Sequence, residues 1–174
     1  MLFLKLFSIT SIFGICTFIG YYYGQKYALR FENLVYLEQC IKILETEIVY
    51  GATPLPEALS NVYKKGKTRV SYIFEEIKSD LVLSKRNFVY ESFLEIEAEL
   101  YNGLYFKKED VEIFLSLGRV LGSSDRLDQS KIFKLILNQI GAQIEEAKME
   151  KSQNEKLYRS LGVIVGIGII ILLI

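Results

Sequence analysis

Two apolar runs at the ends of the chain constrain its fold more than any other feature. Leu6 to Tyr23 contains eighteen residues without a charge, and Leu161 to Ile174 is a second apolar run of fourteen residues. Neither this second run nor residues 1–23 contain Asp or Glu, so all 21 acidic residues lie between the two ends. The charge pattern therefore indicates one polar middle segment held between two segments that avoid water.

Both runs are candidates for membrane helices. The first is close to the length of about 20 apolar residues that spans a bilayer core. The second reaches roughly 27 Å if it begins at Leu157, compared with a core thickness of about 30 Å. No small-residue cleavage pattern follows the first run, which favours an uncleaved anchor over a signal peptide. We therefore predict an N-terminal transmembrane anchor over 1–25, a helical domain over 26–159 and a C-terminal transmembrane helix over 160–174.

The basic residues beside the two runs predict the orientation of the chain. Only Lys5 lies on the outer side of the runs, whereas six basic residues lie on the side of the middle segment. The six are Lys26, Arg30, Lys148, Lys151, Lys156 and Arg159. Because basic residues beside membrane helices tend to stay in the cytoplasm, the pattern predicts a cytoplasmic middle domain with both ends of the chain across the membrane.

Within the middle segment, apolar residues recur every three or four positions, which is typical of amphipathic helices. The positions that mark the longer predicted helices are Leu34, Leu37, Ile41, Leu44 and Ile48; Ile73, Phe74, Ile77 and Leu81; Val89, Phe93, Ile96 and Leu100; Val111, Phe114, Leu115, Leu117 and Leu121; and Ile132, Leu135, Ile136, Gln139 and Ala142. A shorter helix is predicted from Pro54 to Lys65, and the last helix can continue into the second apolar run. The predicted fold class is all-α: a membrane-anchored bundle of about six helices flanked by N- and C-terminal transmembrane helices.

The sharpest corner of the chain is predicted where the first two of these helices meet. Gly51 suits the left-handed residue that ends a helix. Thr53 can cap the next helix with its hydroxyl, and Pro54 can occupy the first helical position. Pro56 still lies in the first turn, and Glu57 places a negative charge at the positive end of the helix dipole. The sequence therefore predicts a rigid corner here.

A second helix junction is predicted from Gly122 to Asp125. Gly122 ends one helix, Asp125 can cap the next, and Asp128 adds a carboxylate to its first turn.

Three stretches of the chain resemble a known family. They are LETEIVYGATPLPEAL at 44–59, LGSSDRLDQ at 121–129 and NEKLYRSLG at 154–162. Together they resemble the stage III sporulation protein AB family of endospore-forming bacteria. More distantly, that family is similar to the inner-membrane platform protein of type II secretion and type IV pilus machines, in which a turn followed by an L-x-x-A-L helix start recurs.

The resemblance implies a structural role in the channel complex that links mother cell and forespore. The expected location is the mother-cell membrane around the forespore, with the soluble domain facing the cytoplasm. The expected partners are membrane lipid and other stage III sporulation channel proteins, with the secretion-type ATPase, stage III sporulation protein AA, as the motor. Self-association into a homo-oligomer stays open.

The two rigid corners are the hypothetical partner-binding surface. Its residues are Thr53, Pro54, Pro56, Glu57, Gly122, Asp125 and Asp128. Helix capping explains the same residue types without a partner. Only the resemblance to the family puts the hypothesis of a contact surface on an equal footing with the interpretation as helix caps.

Little in the sequence indicates catalysis. The chain has no His, and it lacks a G-x-x-x-x-G-K-[ST] phosphate loop. Glu45, Glu47 and Glu57 cluster at the first corner, but no base or nucleophile lies near them, so we interpret them as surface and capping residues. Cys16 and Cys40 are interpreted as buried, inert thiols. We expect no enzyme activity, no cofactor and no metal site, and the zero net charge gives no indication of nucleic acid.

Two alternatives to the scaffold stay open. One is a membrane-bound enzyme or signalling protein that acts on lipid or peptide, which turnover assays would detect. The other is a platform protein of another secretion or pilus-like system, which the timing of expression would distinguish.

Each apolar run also contains a G-x-x-x-G pattern, at Gly20–Gly24 and at Gly162–Gly166. This spacing allows membrane helices to approach closely, but it also arises by chance in glycine-rich runs. We interpret the first pattern as chance and leave the second open.

Overall fold

We describe the protein from a computed structural model. The structure describes residues 2–83, 88–121 and 126–173, and the side chains of 10–83, 88–121 and 129–171 among them. Within these residues the regular elements are seven α-helices and one π-helical turn, without a strand. The elements are α1 (Leu2–Glu45), the π-helical turn (Thr46–Tyr50), α2 (Leu55–Lys65), α3 (Thr68–Leu83), α4 (Val89–Glu95), α5 (Glu97–Asn102), α6 (Lys108–Leu121) and α7 (Arg126–Leu173).

The all-α prediction is confirmed for the described residues, with one change in the middle of the chain. The single helix predicted through Val89 and Leu100 is divided into α4 and α5. The division falls at Ile96, whose φ of −90° and ψ of 3° leave the α-helical region. The last helix runs without a break from Arg126 to Leu173, as the sequence allowed.

The chain forms two compact units, which we describe separately. We define the terminal unit as Met1–Phe31 with Glu146–Ile174, and the central unit as Glu32–Glu145. Residues of α1 and α7 contribute to both units.

Aromatic rings form the core of the central unit. Phe74 on α3, Phe93 on α4 and Phe114 on α6 are fully buried. The ring of Phe114 meets Phe74 edge-on at 5.8 Å between centroids and meets Phe93 at 5.2 Å. Around these rings α2 packs along α3, and α4 packs against α6. Buried aromatic side chains of this size dominate the energetics of a small core.

The predicted apolar stripes are largely the ones that are buried. The stripe on α1 is fully buried from Leu34 to Leu44. The stripe on α7 was wrong in part, because Leu135 is 56% exposed and the core positions are Phe133, Ile136 and Ile140. This helix carries apolar residues in two adjacent registers, and the register that contains the larger ring faces the core.

Glycines bring α1 and α7 together in the terminal unit. A Cβ added at Gly20 would lie 2.9 Å from the Cα of Gly162, and one at Gly24 would lie 3.0 Å from the carbonyl oxygen of Glu155. A Cβ at Gly166 would also meet α1, at 3.0 Å from a ring carbon of Phe13. The interpretation of the first G-x-x-x-G as chance is therefore wrong, since both patterns face the opposite helix.

An ion pair with a buried guanidinium also links the two helices of the terminal unit. The side chain of Arg30 on α1 is only 3% exposed, and its Nη1 lies 2.9 Å from Oε2 of Glu150 on α7. Glu146 lies one helical turn earlier, with its Oε1 at 3.8 Å from the same nitrogen. A buried guanidinium requires such a partner, and this pair is a polar contact between α1 and α7 within the terminal unit.

No helix in the described part of the chain combines the length and the apolar character that crossing a membrane requires. The transmembrane segments over 1–25 and 160–174, and the domain over 26–159, stay predictions.

Candidate functional site

The corner between α1 and α2 is the candidate functional site. The last turn of α1 widens into the π-helical turn, in which the Gly51 amide donates to the carbonyl of Thr46 at 2.9 Å. The amide of Thr53 then donates back to the carbonyl of Glu47, also at 2.9 Å. These bonds close the corner tightly, and π-helical turns of this kind occur frequently at functional sites.

The left-handed residue of this corner is Ala52, and the prediction that Gly51 takes that conformation was wrong. Ala52 has a φ of 52°, whereas Gly51 has a φ of −78° and a ψ of −18°. Glycine fits at position 51 because of space and not because of its dihedral angles. A Cβ added there would lie 2.8 Å from the carbonyl oxygen of Glu47.

The start of α2 also differs from the predicted capping pattern. The helix begins at Leu55, so Pro54 occupies the cap with a φ of −57° and a ψ of 141°, and Pro56 is the second helical residue. The carbonyl of Pro54 accepts the Glu57 amide at 3.0 Å. Thr53 is not the cap, because Pro54 holds the extended backbone one residue later.

Glu47 is the polar centre of the corner. Its carboxylate accepts hydrogen bonds from the Thr53 hydroxyl at 3.0 Å, the Asn61 amide at 3.0 Å and the Lys65 ammonium at 2.6 Å. These donors, Lys65 first, lower the pKa of Glu47 to about 2. The interpretation of Glu47 as a surface residue was therefore incomplete, since its side chain is only 12% exposed and ties the π-helical turn to α2.

A groove of about 250 Å³ opens beside the corner. Its lining residues are Ile48, Ala52, Thr53, Leu55, Leu121 and Gln129. Leu121 ends α6 and Gln129 lies in the first turns of α7, so residues on either side of the second predicted junction line the same groove as the first corner.

The structure describes the side chains of four of the seven predicted site residues. Pro54 and Glu57 are exposed, whereas Thr53 and Pro56 are half-buried. Gly122 and Asp125 lie outside the described residues, and so does the side chain of Asp128.

Tyr50 is a surface residue that the sequence reasoning missed. It is the last residue of the π-helical turn and is 73% exposed. The available signal was its position two residues after Ile48, which puts it off the apolar stripe of α1 although it is a large aromatic residue.

The described residues contain no group of three or more His, Cys, Asp or Glu side chains that are close enough to hold a metal ion. Cys16 and Cys40 are both free thiols. Cys40 is buried, and burial raises the pKa of its thiol to about 12, which keeps it protonated and unreactive at neutral pH.

Comparison with known proteins identifies the family. The family described as stage III sporulation protein AB matches residues 5–174. The chain belongs to this family. The resemblance inferred from the three sequence stretches is therefore confirmed, and membership ties the chain to sporulation. The family is named for a stage of sporulation and not for a catalysed reaction.

Two members of the family show how far the similarity extends. Stage III sporulation protein AB of Bacillus subtilis strain 168 is 30% identical over 170 residues, which cover 98% of this chain and 99% of that protein. A solved structure titled stage III sporulation protein AB (SpoIIIAB) has 26% sequence identity and a TM-score of 0.65. The match covers 72% of this chain and 98% of the solved chain.

Proposed function

We propose that the chain is a membrane-anchored scaffold of the channel complex between mother cell and forespore. In this proposal the terminal unit holds the chain in the mother-cell membrane around the forespore. The central unit faces the mother-cell cytoplasm, where it couples a secretion-type ATPase to the membrane assembly. Family membership supports the sporulation role, and the asymmetry of the basic residues supports the orientation.

The observation that carries the membrane part of the proposal is the surface of the terminal unit. Large apolar side chains that are 60–72% exposed lie on the outside of its helices: Ile15, Phe18, Ile164 and Ile171. The inner contact between the helices is made by Gly20 and Gly162. Small residues between helices and large apolar residues around them are typical of helices that pack within lipid.

The partner surface is proposed at the corner between α1 and α2, together with the groove beside it. Tyr50, Pro54 and Glu57 are exposed there on backbone that is held by the π-helical turn and by the Glu47 hydrogen bonds. A force applied to this corner moves whole helices, because no slack loop separates them. Gly122 and Asp125 of the second junction stay predicted members of the same surface.

The proposed partner of this surface is stage III sporulation protein AA, the secretion-type ATPase, among other sporulation channel proteins. Exposed tyrosine is enriched among residues that dominate binding energy, so Tyr50 is the expected central contact. Glu57 adds a carboxylate at the rim that a basic patch of the ATPase can meet. An exposed charge contact of this kind contributes about 1 kcal/mol or less.

In-cell photo-crosslinking tests this surface. A photo-reactive amino acid at Tyr50 should capture the ATPase in sporulating cells, whereas the same group at Tyr101, an exposed tyrosine on α5, should not. Equal capture from both positions, or capture of the ATPase from neither, would contradict the proposed surface.

Charge reversal provides an independent measure. Glu57→Lys should weaken binding of the ATPase by about fivefold, which corresponds to about 1 kcal/mol, and lower spore yield while helicity is retained. Glu95→Lys, which reverses another exposed carboxylate at the end of α4, is the matched control. Normal spore yield and ATPase binding in a well-folded Glu57→Lys variant would show that Glu57 serves only the helix start.

A further inference from the structure

A basic groove lies on the terminal unit between α1 and α7. It has a volume of about 390 Å³ and is lined by Phe31, Lys148, Lys151, Ser152, Glu155, Lys156 and Arg159. Six of these seven residues come from consecutive turns of α7, and Phe31 of α1 forms the opposite wall. The lining therefore combines an aromatic wall with one strongly charged helix face.

The charge of this groove is positive. Its lining holds four basic side chains and one carboxylate, that of Glu155. Arg159 Nη2 lies 2.8 Å from Glu155, and Lys151 Nζ lies 5.2 Å from the centroid of the Phe31 ring. Two further carboxylates of α7, Glu146 and Glu150, are directed to the buried Arg30. The groove consequently presents an excess of ammonium and guanidinium groups to a ligand.

Aromatic and basic side chains lie where the apolar segments of the terminal unit meet its charged residues. The guanidinium of Arg159 lies 4.9 Å from the Tyr21 ring, and the ammonium of Lys26 lies 5.0 Å from the Tyr23 ring. Tyr158 of α7 stacks on Tyr23 at 6.2 Å between centroids. Tyrosines with adjacent cations are enriched at the level of lipid headgroups.

We propose that this groove binds the phosphate headgroup of an anionic phospholipid. The inference rests on the proposed membrane anchoring of the terminal unit. Arg159 belongs both to the groove and to the aromatic zone, so a lipid phosphate in the groove lies at headgroup depth while its acyl chains follow the exposed apolar side chains. Lysine and arginine at such positions between membrane helices recognise anionic headgroups.

This arrangement of groove and apolar residues favours a lipid over a soluble anion. The basic groove continues into exposed apolar residues on the same face of α7, Val163 and Ile167, which lie seven and eleven residues after Lys156. A phospholipid matches both parts, because it joins a phosphate diester to apolar chains. A free phosphate ion or an acidic peptide would use only the charged part.

Binding of phosphatidylglycerol to the full chain tests the groove. The chain is purified in mild detergent, and its dissociation constants for phosphatidylglycerol and phosphatidylcholine are measured by native mass spectrometry. We expect tighter binding of phosphatidylglycerol, and the double variant Lys151→Gln/Lys156→Gln should weaken that binding by about fivefold for each lysine. Phosphatidylcholine binding should stay unchanged.

The matched control is Lys131→Gln/Lys134→Gln. It removes two exposed lysines from an earlier part of the same helix and changes the net charge equally. Equal weakening in both double variants would reduce the effect to general charge and overturn the site. Displacement of phosphatidylglycerol by inorganic phosphate or by a hexaglutamate peptide at comparable concentrations would reassign the groove to a soluble anion and also overturn it.

Carbonate extraction of cell membranes separates this inference from the proposed function. If the wild-type chain is released by carbonate, the proposed anchoring fails. If the wild-type chain stays in the membrane but shows no preference for phosphatidylglycerol, only the headgroup site fails. The lysine variants of the groove should stay in the membrane fraction.

Discussion

The terminal and central units use glycine in opposite ways. In the terminal unit a Cβ at Gly20 would lie 2.9 Å from the Cα of Gly162, so glycine there admits another backbone. In the central unit a Cβ at Gly118 would lie 2.6 Å from Cγ of Phe93, so glycine there admits an aromatic ring. The close backbone contact in the terminal unit suits lipid, where dispersion contacts between helices drive their association. The ring contact in the central unit buries apolar area, which is favourable in water.

The largest expected effect lies in the ring core of the central unit. Phe114→Ala removes a fully buried ring that contacts two other rings, and should lower the free energy of unfolding by about 3–5 kcal/mol. Phe88→Ala, at a side chain that is 68% exposed, should cost less than about 1 kcal/mol. Urea unfolding of the full chain in mild detergent measures both losses of stability. Equal losses would contradict the assignment of Phe114 to a buried ring core of the central unit.

The next effect lies in the terminal unit. Gly162→Ala places a methyl group 2.8 Å from the carbonyl oxygen of Cys16, so the helices must separate, at a cost of about 1–3 kcal/mol. Gly168→Ala on the same helix meets nothing within 4 Å and should be neutral or stabilise by up to about 1 kcal/mol. Thermal unfolding in detergent micelles compares the two. A neutral Gly162→Ala would contradict the close backbone contact.

A smaller pair of effects, of opposite sign, is expected at the corner between α1 and α2. Ala52→Gly relieves a left-handed alanine and should stabilise the chain by up to about 1 kcal/mol, after the gain in unfolded-chain entropy is subtracted. Gly51→Ala should destabilise it by about 1 kcal/mol, because the methyl group approaches the Glu47 carbonyl. Thermal melts of the two variants should therefore shift in opposite directions, and shifts in the same direction would contradict the assigned conformations.

The corner shows what local sequence patterns predict and what they miss. The position of the corner followed from the glycine and the prolines, because their backbone limits are local. Its polar centre did not, because Glu47 is held by Asn61 and Lys65, which lie 14 and 18 residues away. Its left-handed residue did not either, because alanine carries no local preference for a positive φ. Contacts distant in sequence also decide which face of α7 is buried. Two sets of apolar positions satisfy the helical spacing, and only packing against the other helices selects Phe133 over Leu135.

Ion pairs are expected to give the smallest effect on stability, and the two units differ in which partner of the pair they bury. In the terminal unit the buried partner is the cation, since Arg30 is 3% exposed and its carboxylate partners Glu150 and Glu146 are 24% and 44% exposed. In the central unit it is the carboxylate, since Glu47 is 12% exposed and its partner Lys65 is 59% exposed. The hydrogen bonds to Glu47, from Lys65 first, lower its pKa from 4.5 to about 2, so its contribution to stability is complete above about pH 4.5 and is lost as the pH falls through about 2.

Acid unfolding tests this assignment. Glu47→Gln should weaken the dependence of stability on pH between 4.5 and 2, because the variant has no carboxylate to protonate there. Glu57→Gln, which removes an exposed carboxylate from the start of α2, is the control. Identical acid profiles for the wild-type chain and Glu47→Gln would show that the Glu47 cluster does not stabilise the corner.

The side of the membrane on which Asn102 lies tests the central claim most directly. In a chain with Cys16→Ala and Cys40→Ala, single cysteines are introduced by Asn102→Cys or by one added residue before Met1, and the chains are produced in vegetative cells. The scaffold account predicts that a membrane-impermeant maleimide labels the amino-terminal cysteine in intact cells, and labels the cysteine at position 102 only after permeabilisation. Labelling at position 102 in intact cells would contradict a central unit that faces the cytoplasm.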